Sequence, residues 1–93
     1  MFEGGTRVPH LVRWPAAIGG NAFSDAPFSQ VDMLASLASL CGAKVPPGAT
    51  PDGRDHSKVL LGADKAGREV VVQQAAGLAI RQGAWKYIEP RNG

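Results

Sequence analysis

The sequence predicts an α/β fold, with one strand and a packed helix in the first half and a small antiparallel sheet at the end. Three observations support this prediction. An apolar segment over residues 8–14 has the composition of a strand, and residues 29–42 repeat apolar side chains at helical spacing. Residues 69–89 are rich in β-branched and aromatic side chains. The length of 93 residues is sufficient for at most one small domain.

The composition is that of a folded chain with a mixed surface charge. Hydrophobic residues make up 44% of the chain and charged residues 19%, as is typical of globular proteins. The net charge of +2 comes from basic residues interleaved with acidic ones, so no nucleic-acid partner is expected. No apolar run has the length of a membrane span, so no membrane partner is expected either. No secretory signal peptide follows Met1, and the cellular location is left open.

The first residues, MFEGGTRVP, form a glycine-rich bend before the apolar segment. Gly4 and Gly5 permit positive φ angles and close approach of another group. Consecutive backbone N–H groups in such a bend can form an anion-binding nest. Glu3 and Arg7 are four residues apart and could pair across the bend. Two interpretations stay open: a structural loop with an ion pair, or a loop that borders an anionic site.

The apolar segment after the bend predicts the first strand. Pro9 lacks a backbone donor, so the strand begins at an edge or just after it. His10, Val12 and Trp14 then share one face of the strand. His10 is expected to pack on or beside the strand, without a catalytic role.

A helix is predicted from Ser29 to Gly42. Ser29 and Asp32 have the spacing of a capping box, and Gly42 has the position of a C-cap. Apolar side chains cover most of the helical circumference, which is typical of a helix packed on two sides. Cys41 lies on this apolar surface and is expected to be a buried, inert thiol.

The middle of the chain predicts a loop and a short helix over residues 56–61, capped by Asp55 and closed by Gly62. Asp52, Asp55 and His56 have the side-chain types of a metal site. An Asp-Gly turn and a helix cap account for the two acidic residues without a metal, and this interpretation is the stronger one.

The last third predicts strands over residues 69–73, 78–81 and 84–87. The separation of the last two strands indicates a hairpin with Gln82-Gly83 at its turn, because glycine can adopt positive φ. The expected product is a small antiparallel sheet.

These segments, in this order, resemble the sulfatase family over essentially the whole chain. The matching segments are EGGTRVP, RWP, VDMLASLASLCGA, DGRD, VLLG and IRQGAWKYI. The chain departs from the family at Ala35-Ser36, where the family often has Pro-Thr. The resemblance implies the C-terminal piece of a sulfatase-like fold, within the alkaline phosphatase superfamily.

The resemblance also implies a division of this partial sulfatase domain. Residues 1–45 would end the large α/β region and contribute one strand and one packed helix to its large sheet. Residues 46–68 would form a loop and a short helix, and residues 69–93 a small antiparallel sheet.

Sulfatases hydrolyse sulfate esters with a hydrated formylglycine nucleophile and a calcium ion. Formylglycine forms in a Cys/Ser-x-Pro-x-Arg motif, and Cys41 is not in such a motif. The resemblance therefore assigns no catalytic residue, metal ligand or cofactor to this chain; calcium and formylglycine would belong to the full-length enzyme. By resemblance, a loop that borders the active site would contain Glu3, Gly4, Gly5 and Arg7.

The expected partners are the missing N-terminal part of the sulfatase domain and, for the full-length enzyme, a sulfate ester. Full-length sulfatases are often periplasmic, secreted or lysosomal. The chain alone is expected to be inactive. Two alternatives are a stand-alone structural or interaction module derived from the fold, and a fragment of a related phosphate- or phosphonate-ester hydrolase.

Overall fold

The computed structural model describes residues 2–90. Met1 and residues 91–93, which the predicted partial domain included, lie outside the described residues. The chain divides into two compact units: one runs from Val12 to Arg68, and the other combines the N-terminal segment up to Leu11 with the chain from Glu69 onward. The predicted division of the domain near residues 45 and 68 stays a prediction.

The Val12–Arg68 unit contains the predicted long helix. A 3₁₀ turn, Gln30–Asp32, leads into helix α1, Met33–Cys41. The capping box is confirmed: the backbone N–H of Ser29 donates to Asp32 Oδ2 at 3.3 Å. Gly42 ends the helix in the left-handed conformation with a φ of 67°, as the C-cap prediction required.

Two polar side chains, not leucines, are the fully buried groups near the start of α1. Asp32 and Ser36 have no exposed surface. The Leu34 and Leu37 side chains are 53% and 46% exposed. The prediction that Cys41 is buried is wrong for this chain, because the described residues leave its thiol exposed.

A short second helix, α2, covers Ser57–Leu60. The N-cap position belongs to His56, not to Asp55 as predicted, and His56 makes no side-chain cap bond. Asp55, one residue earlier, accepts the backbone N–H of Ser57 on Oδ1 at 2.8 Å. Gly62 follows with a φ of 73° and closes the helix through its N–H to the carbonyl of Val59. The helix is shorter than predicted by one residue at each end. No helix among the described residues is long and apolar enough to cross a bilayer.

The strand predicted over residues 8–14 is absent from the described structure. A strand exists only when its backbone groups pair with a neighbouring strand. The described strands pair only with one another, and Leu11 is 94% exposed. Residues 8–14 therefore have the composition of a strand but pair with no strand of the described residues.

The other unit contains the predicted antiparallel sheet. Its three strands are β1, Val70–Gln74; β2, Leu78–Gln82; and β3, Trp85–Ile88, in the order β1-β2-β3. Gln82 pairs with Trp85, so the hairpin loop is residues 83–84, one residue later than predicted. Gly83 has a φ of 56°, and a positive φ at the first loop residue is typical of a type II′ turn.

The register gives the sheet two different faces. Val72, Ile80 and Tyr87 lie opposite one another across the three strands, and all three are exposed. On the opposite face Ala79 is only 2% exposed. The same face carries Arg81 and Lys86, which are direct cross-strand partners.

Candidate functional site

The candidate site residues lie in a tight turn at the N-terminus. A 3₁₀ turn covers Glu3–Gly5. The backbone N–H groups of Thr6 and Arg7 both donate to the carbonyl of Glu3, at 3.0 and 2.7 Å, and the N–H of Gly5 donates to the carbonyl of Phe2 at 3.3 Å. These three N–H groups bind within the turn, so they cannot also hold an anion in this conformation.

The conformation of the two glycines in the turn differs from the predicted one. Neither Gly4 nor Gly5 has a positive φ in the described structure. A Cβ built on either glycine would meet no described atom within 4 Å. Within residues 2–90, the turn therefore requires neither the conformational freedom of glycine nor its small size.

The carboxylate of Glu3 binds two cations of the sheet. Glu3 Oε2 lies 3.1 Å from Arg81 Nη1, and Glu3 Oε1 lies 2.8 Å from Lys86 Nζ. Lys86 is largely buried, with 15% of its side chain exposed, while Glu3 is 47% exposed. Each carboxylate oxygen therefore has its own cationic donor, which ties the N-terminal turn to β2 and β3.

These cations lower the pKa of Glu3. The hydrogen bond from Lys86 has the largest effect, followed by an opposing effect of desolvation and by the charges of Lys86, Arg81 and Arg7. The predicted partner Arg7 thus stabilises the Glu3 carboxylate less than Lys86 does. Arg81 and Lys86 around one carboxylate leave a formal excess of one positive charge at this contact, which favours a nearby anionic group.

Sequence reasoning missed Arg81 and Lys86 because they lie 78 and 83 residues from Glu3 along the chain. One signal could have found them. The hairpin prediction places Arg81 and Lys86 on neighbouring strands near one turn, and like charges that are close together across a sheet favour an acidic partner.

The other candidate residues do not form a cation site. Among residues 2–90 there is no group of three or more His, Cys, Asp or Glu side chains that could hold a metal ion. The pKa of Asp55 is lowered, first by a hydrogen bond from the Ser39 hydroxyl and then by the N–H of Ser57. Asp55 therefore holds the backbone just before the N-cap of α2, His56.

Curated sulfatases are similar to nearly the whole chain. The N-acetylgalactosamine-6-O-sulfatase of Bacteroides thetaiotaomicron is 50% identical over 91 residues, which are 96% of this chain and 18% of that protein. Arylsulfatase G of Mus musculus is 40% identical over 94% of this chain and 17% of its own length. No protein-family model matches the chain.

A solved structure agrees with these relatives. It comes from work on the metabolism of multiple glycosaminoglycans by Bacteroides thetaiotaomicron, and it superimposes with a TM-score of 0.89 at 48% identity. The match covers 98% of this chain and 19% of the solved chain. The chain belongs to the sulfatase family. It spans about a fifth of the length of the sulfatases that it matches.

The small sheet and the helix of this sulfatase segment agree with the predicted fold class. The steryl-sulfatase of Rattus norvegicus, 44% identical over 61 residues, adds a third kind of sulfatase with a similar segment.

Proposed function

We propose that this chain is part of a sulfuric-ester hydrolase and that its N-terminal turn borders the sulfate-ester site. The observation that carries the proposal is the 50% identity to an N-acetylgalactosamine-6-O-sulfatase over 91 residues. Two features of the turn support it: the excess of cations around Glu3 suits an anionic substrate, and the exposed backbone of Gly4 and Gly5 leaves room for a neighbouring group.

We also propose that the 93 residues alone do not hydrolyse sulfate esters. The chain has no Cys/Ser-x-Pro-x-Arg motif for a formylglycine nucleophile. Within residues 2–90 no cluster of side chains could hold the metal ion. The nucleophile and the charge stabilisation that this reaction requires would therefore come from another part of a longer enzyme.

A segment exchange tests the first proposal. The segment of the Bacteroides thetaiotaomicron N-acetylgalactosamine-6-O-sulfatase that aligns with this chain is replaced by this chain, and sulfate release from the substrate of that enzyme is measured. We expect the grafted enzyme to fold and to keep turnover. A grafted enzyme with a native melting transition and no sulfate release would contradict the proposal.

A matched pair of glycine substitutions then tests the border position. In the described structure neither Gly5 nor Gly20 has a positive φ, and a Cβ on either would meet nothing within 4 Å. Gly5→Val in the grafted enzyme should lower turnover at least about tenfold, because small displacements at a reacting centre are costly. Gly20→Val should leave turnover unchanged. Equal turnover in both variants would place Gly5 outside the site.

The isolated chain gives the complementary prediction. The purified chain, incubated with a chromogenic aryl sulfate and calcium, should release no more product than buffer does. Turnover that follows the protein through gel filtration and disappears on denaturation would show that the chain contains its own catalytic groups.

A further inference from the structure

The sheet pairs two like charges at one register position. Arg81 on β2 and Lys86 on β3 are direct cross-strand partners. Side chains at such positions have Cβ atoms about 4.5–5.5 Å apart, and like charges placed there destabilise the pairing. The structure relieves this repulsion with one anion, because the Glu3 carboxylate gives one oxygen to each cation.

The cations are themselves held in place by the sheet. Arg81 Nε donates to the carbonyl of Gly83 at 3.2 Å, so the hairpin loop orients the guanidinium that binds Glu3. The side chain of Lys86 is largely buried and therefore restricted in position. A continuous set of hydrogen bonds thus runs from the hairpin loop to the carboxylate of the turn.

The backbone of the turn continues this set of bonds. The carbonyl of Glu3 accepts the N–H groups of Thr6 and Arg7. Gly4 and Gly5 lie in the chain between Glu3 and these two amides. The position of Glu3 therefore determines the position of the Gly4 and Gly5 backbone. If the cations lose the carboxylate, the turn loses its attachment to the sheet, and its internal bonds open more often.

We propose that Arg81 and Lys86 are positioning residues, which hold the Glu3–Gly5 turn on the three-stranded sheet through the carboxylate of Glu3. The inference rests on the proposed function only where it assigns this turn to a sulfate-ester site. The carboxylate and the cation pair depend on each other: Glu3 needs both donors for its position, and the hairpin needs Glu3 to place Arg81 opposite Lys86.

This mutual dependence predicts that Lys86→Met has different effects in the native chain and in a Glu3→Gln background. In the native chain Lys86→Met removes an attraction, so the amides of Gly5, Thr6 and Arg7 should exchange faster, by about two- to fivefold for an exposed pair. In a Glu3→Gln background the same substitution removes an uncompensated repulsion. There, Lys86→Met should slow the exchange of the β2–β3 ladder amides.

Hydrogen exchange on the 93-residue chain measures both effects. Lys44→Met is the control, since Lys44 is an exposed lysine in the Val12–Arg68 unit. We expect the control to leave all reporter amides unchanged. The proposal would be overturned if Glu3→Gln left the exchange rates of the turn amides unchanged. It would also be overturned if Lys86→Met changed the exchange rates by the same amount and in the same direction in both backgrounds.

The grafted enzyme separates positioning from simple stabilisation. Lys86→Met should lower kcat more than it raises KM, while Lys86→Arg, which keeps a donor for Glu3, should restore turnover at an unchanged melting temperature. If Lys86→Met lowers the melting temperature and leaves kcat and KM unchanged, Lys86 has only a structural role, and the positioning role is overturned. If the unmodified graft is inactive, the proposed function fails, and the exchange experiment still decides the inference.

Discussion

The two units of this chain use a bridging carboxylate in opposite environments. In the Val12–Arg68 unit, Asp32 is fully buried: it binds Arg68 Nε at 2.9 Å and accepts the backbone N–H of Arg54 at 2.9 Å. In the other unit, Glu3 bridges two cations while half-exposed. The geometry is similar, but water can replace the partners of Glu3 and cannot replace those of Asp32.

The contrast separates two roles of an ion pair. A buried carboxylate with its partner removed leaves an uncompensated charge, which is strongly destabilising. An exposed pair contributes little free energy but still defines a position. We therefore expect Asp32 to determine whether its unit folds, and Glu3 to determine where a loop lies in a unit that folds without it.

The largest expected effect is that of Asp32→Ala. Removal of the carboxylate takes away the anion beside Arg68 Nε and the acceptor of the backbone N–H groups of Ser29 and Arg54. We expect a loss of about 3–5 kcal/mol of unfolding free energy, measured by urea denaturation followed through helical circular dichroism. Asp52→Ala, at an exposed position of the same unit, is the control and should change the midpoint little. Equal urea midpoints for the two variants would mean that the buried carboxylate of Asp32 contributes no more to stability than the exposed carboxylate of Asp52.

A glycine pair gives a smaller effect in the same unit. Gly67 and Gly62 both have positive φ, at 66° and 73°. A Cβ at Gly67 would collide with the carbonyl of Pro27, whereas at Gly62 it would meet nothing within 4 Å. Gly62→Ala should cost about 1 kcal/mol for the backbone conformation alone. Gly67→Ala should cost about 1–3 kcal/mol more because of the collision.

Thermal denaturation of the two variants measures this difference. Equal destabilisation would mean that the segment around Gly67 can move away from Pro27. Because Arg68 follows Gly67 directly, the backbone next to the buried Asp32–Arg68 pair could then shift without a large loss of stability.

The smallest effect is the pH dependence of the Glu3 turn. The pKa of Glu3 is below its ordinary value of 4.5 because of the hydrogen bond from Lys86 and the charges of Arg81 and Arg7. Ionised Glu3 therefore stabilises the attached turn above pH 4.5, and this contribution is lost as the pH falls through the lowered pKa. Protection of the turn amides should fall in that range. In Glu3→Gln the profile should be flat, and a profile identical to that of the native chain would assign the titration to another group.

Local signals predicted the local structure well. The Ser29–Asp32 capping box and the Gly42 C-cap each depend on residues a few positions apart, and both are present in the structure. The hairpin was also predictable, because turn chemistry and β-branched runs are short-range features, although its loop lies one residue later. The order of these segments was enough to identify the family.

Other features were not predictable because they depend on distant parts of the chain. Asp32 was predicted as a cap, and no local pattern shows that it also binds Arg68, or that it is fully buried. The segment over residues 8–14 has strand composition, but pairing needs a neighbour that local sequence does not reveal. The exposure of Cys41 likewise depends on what covers α1.

The sequence alone thus determined both caps of the helix and, to within one residue, the turn of the hairpin, since capping and turn preferences act over a few residues. It also determined the sulfatase membership, through the order of short segments. Only the tertiary structure decided the partners of the carboxylates: Glu3 binds side chains 78 and 83 residues away. The physical reason is that a charge pairs with the donor that the folded backbone brings within about 3 Å, and separation along the chain does not set that distance.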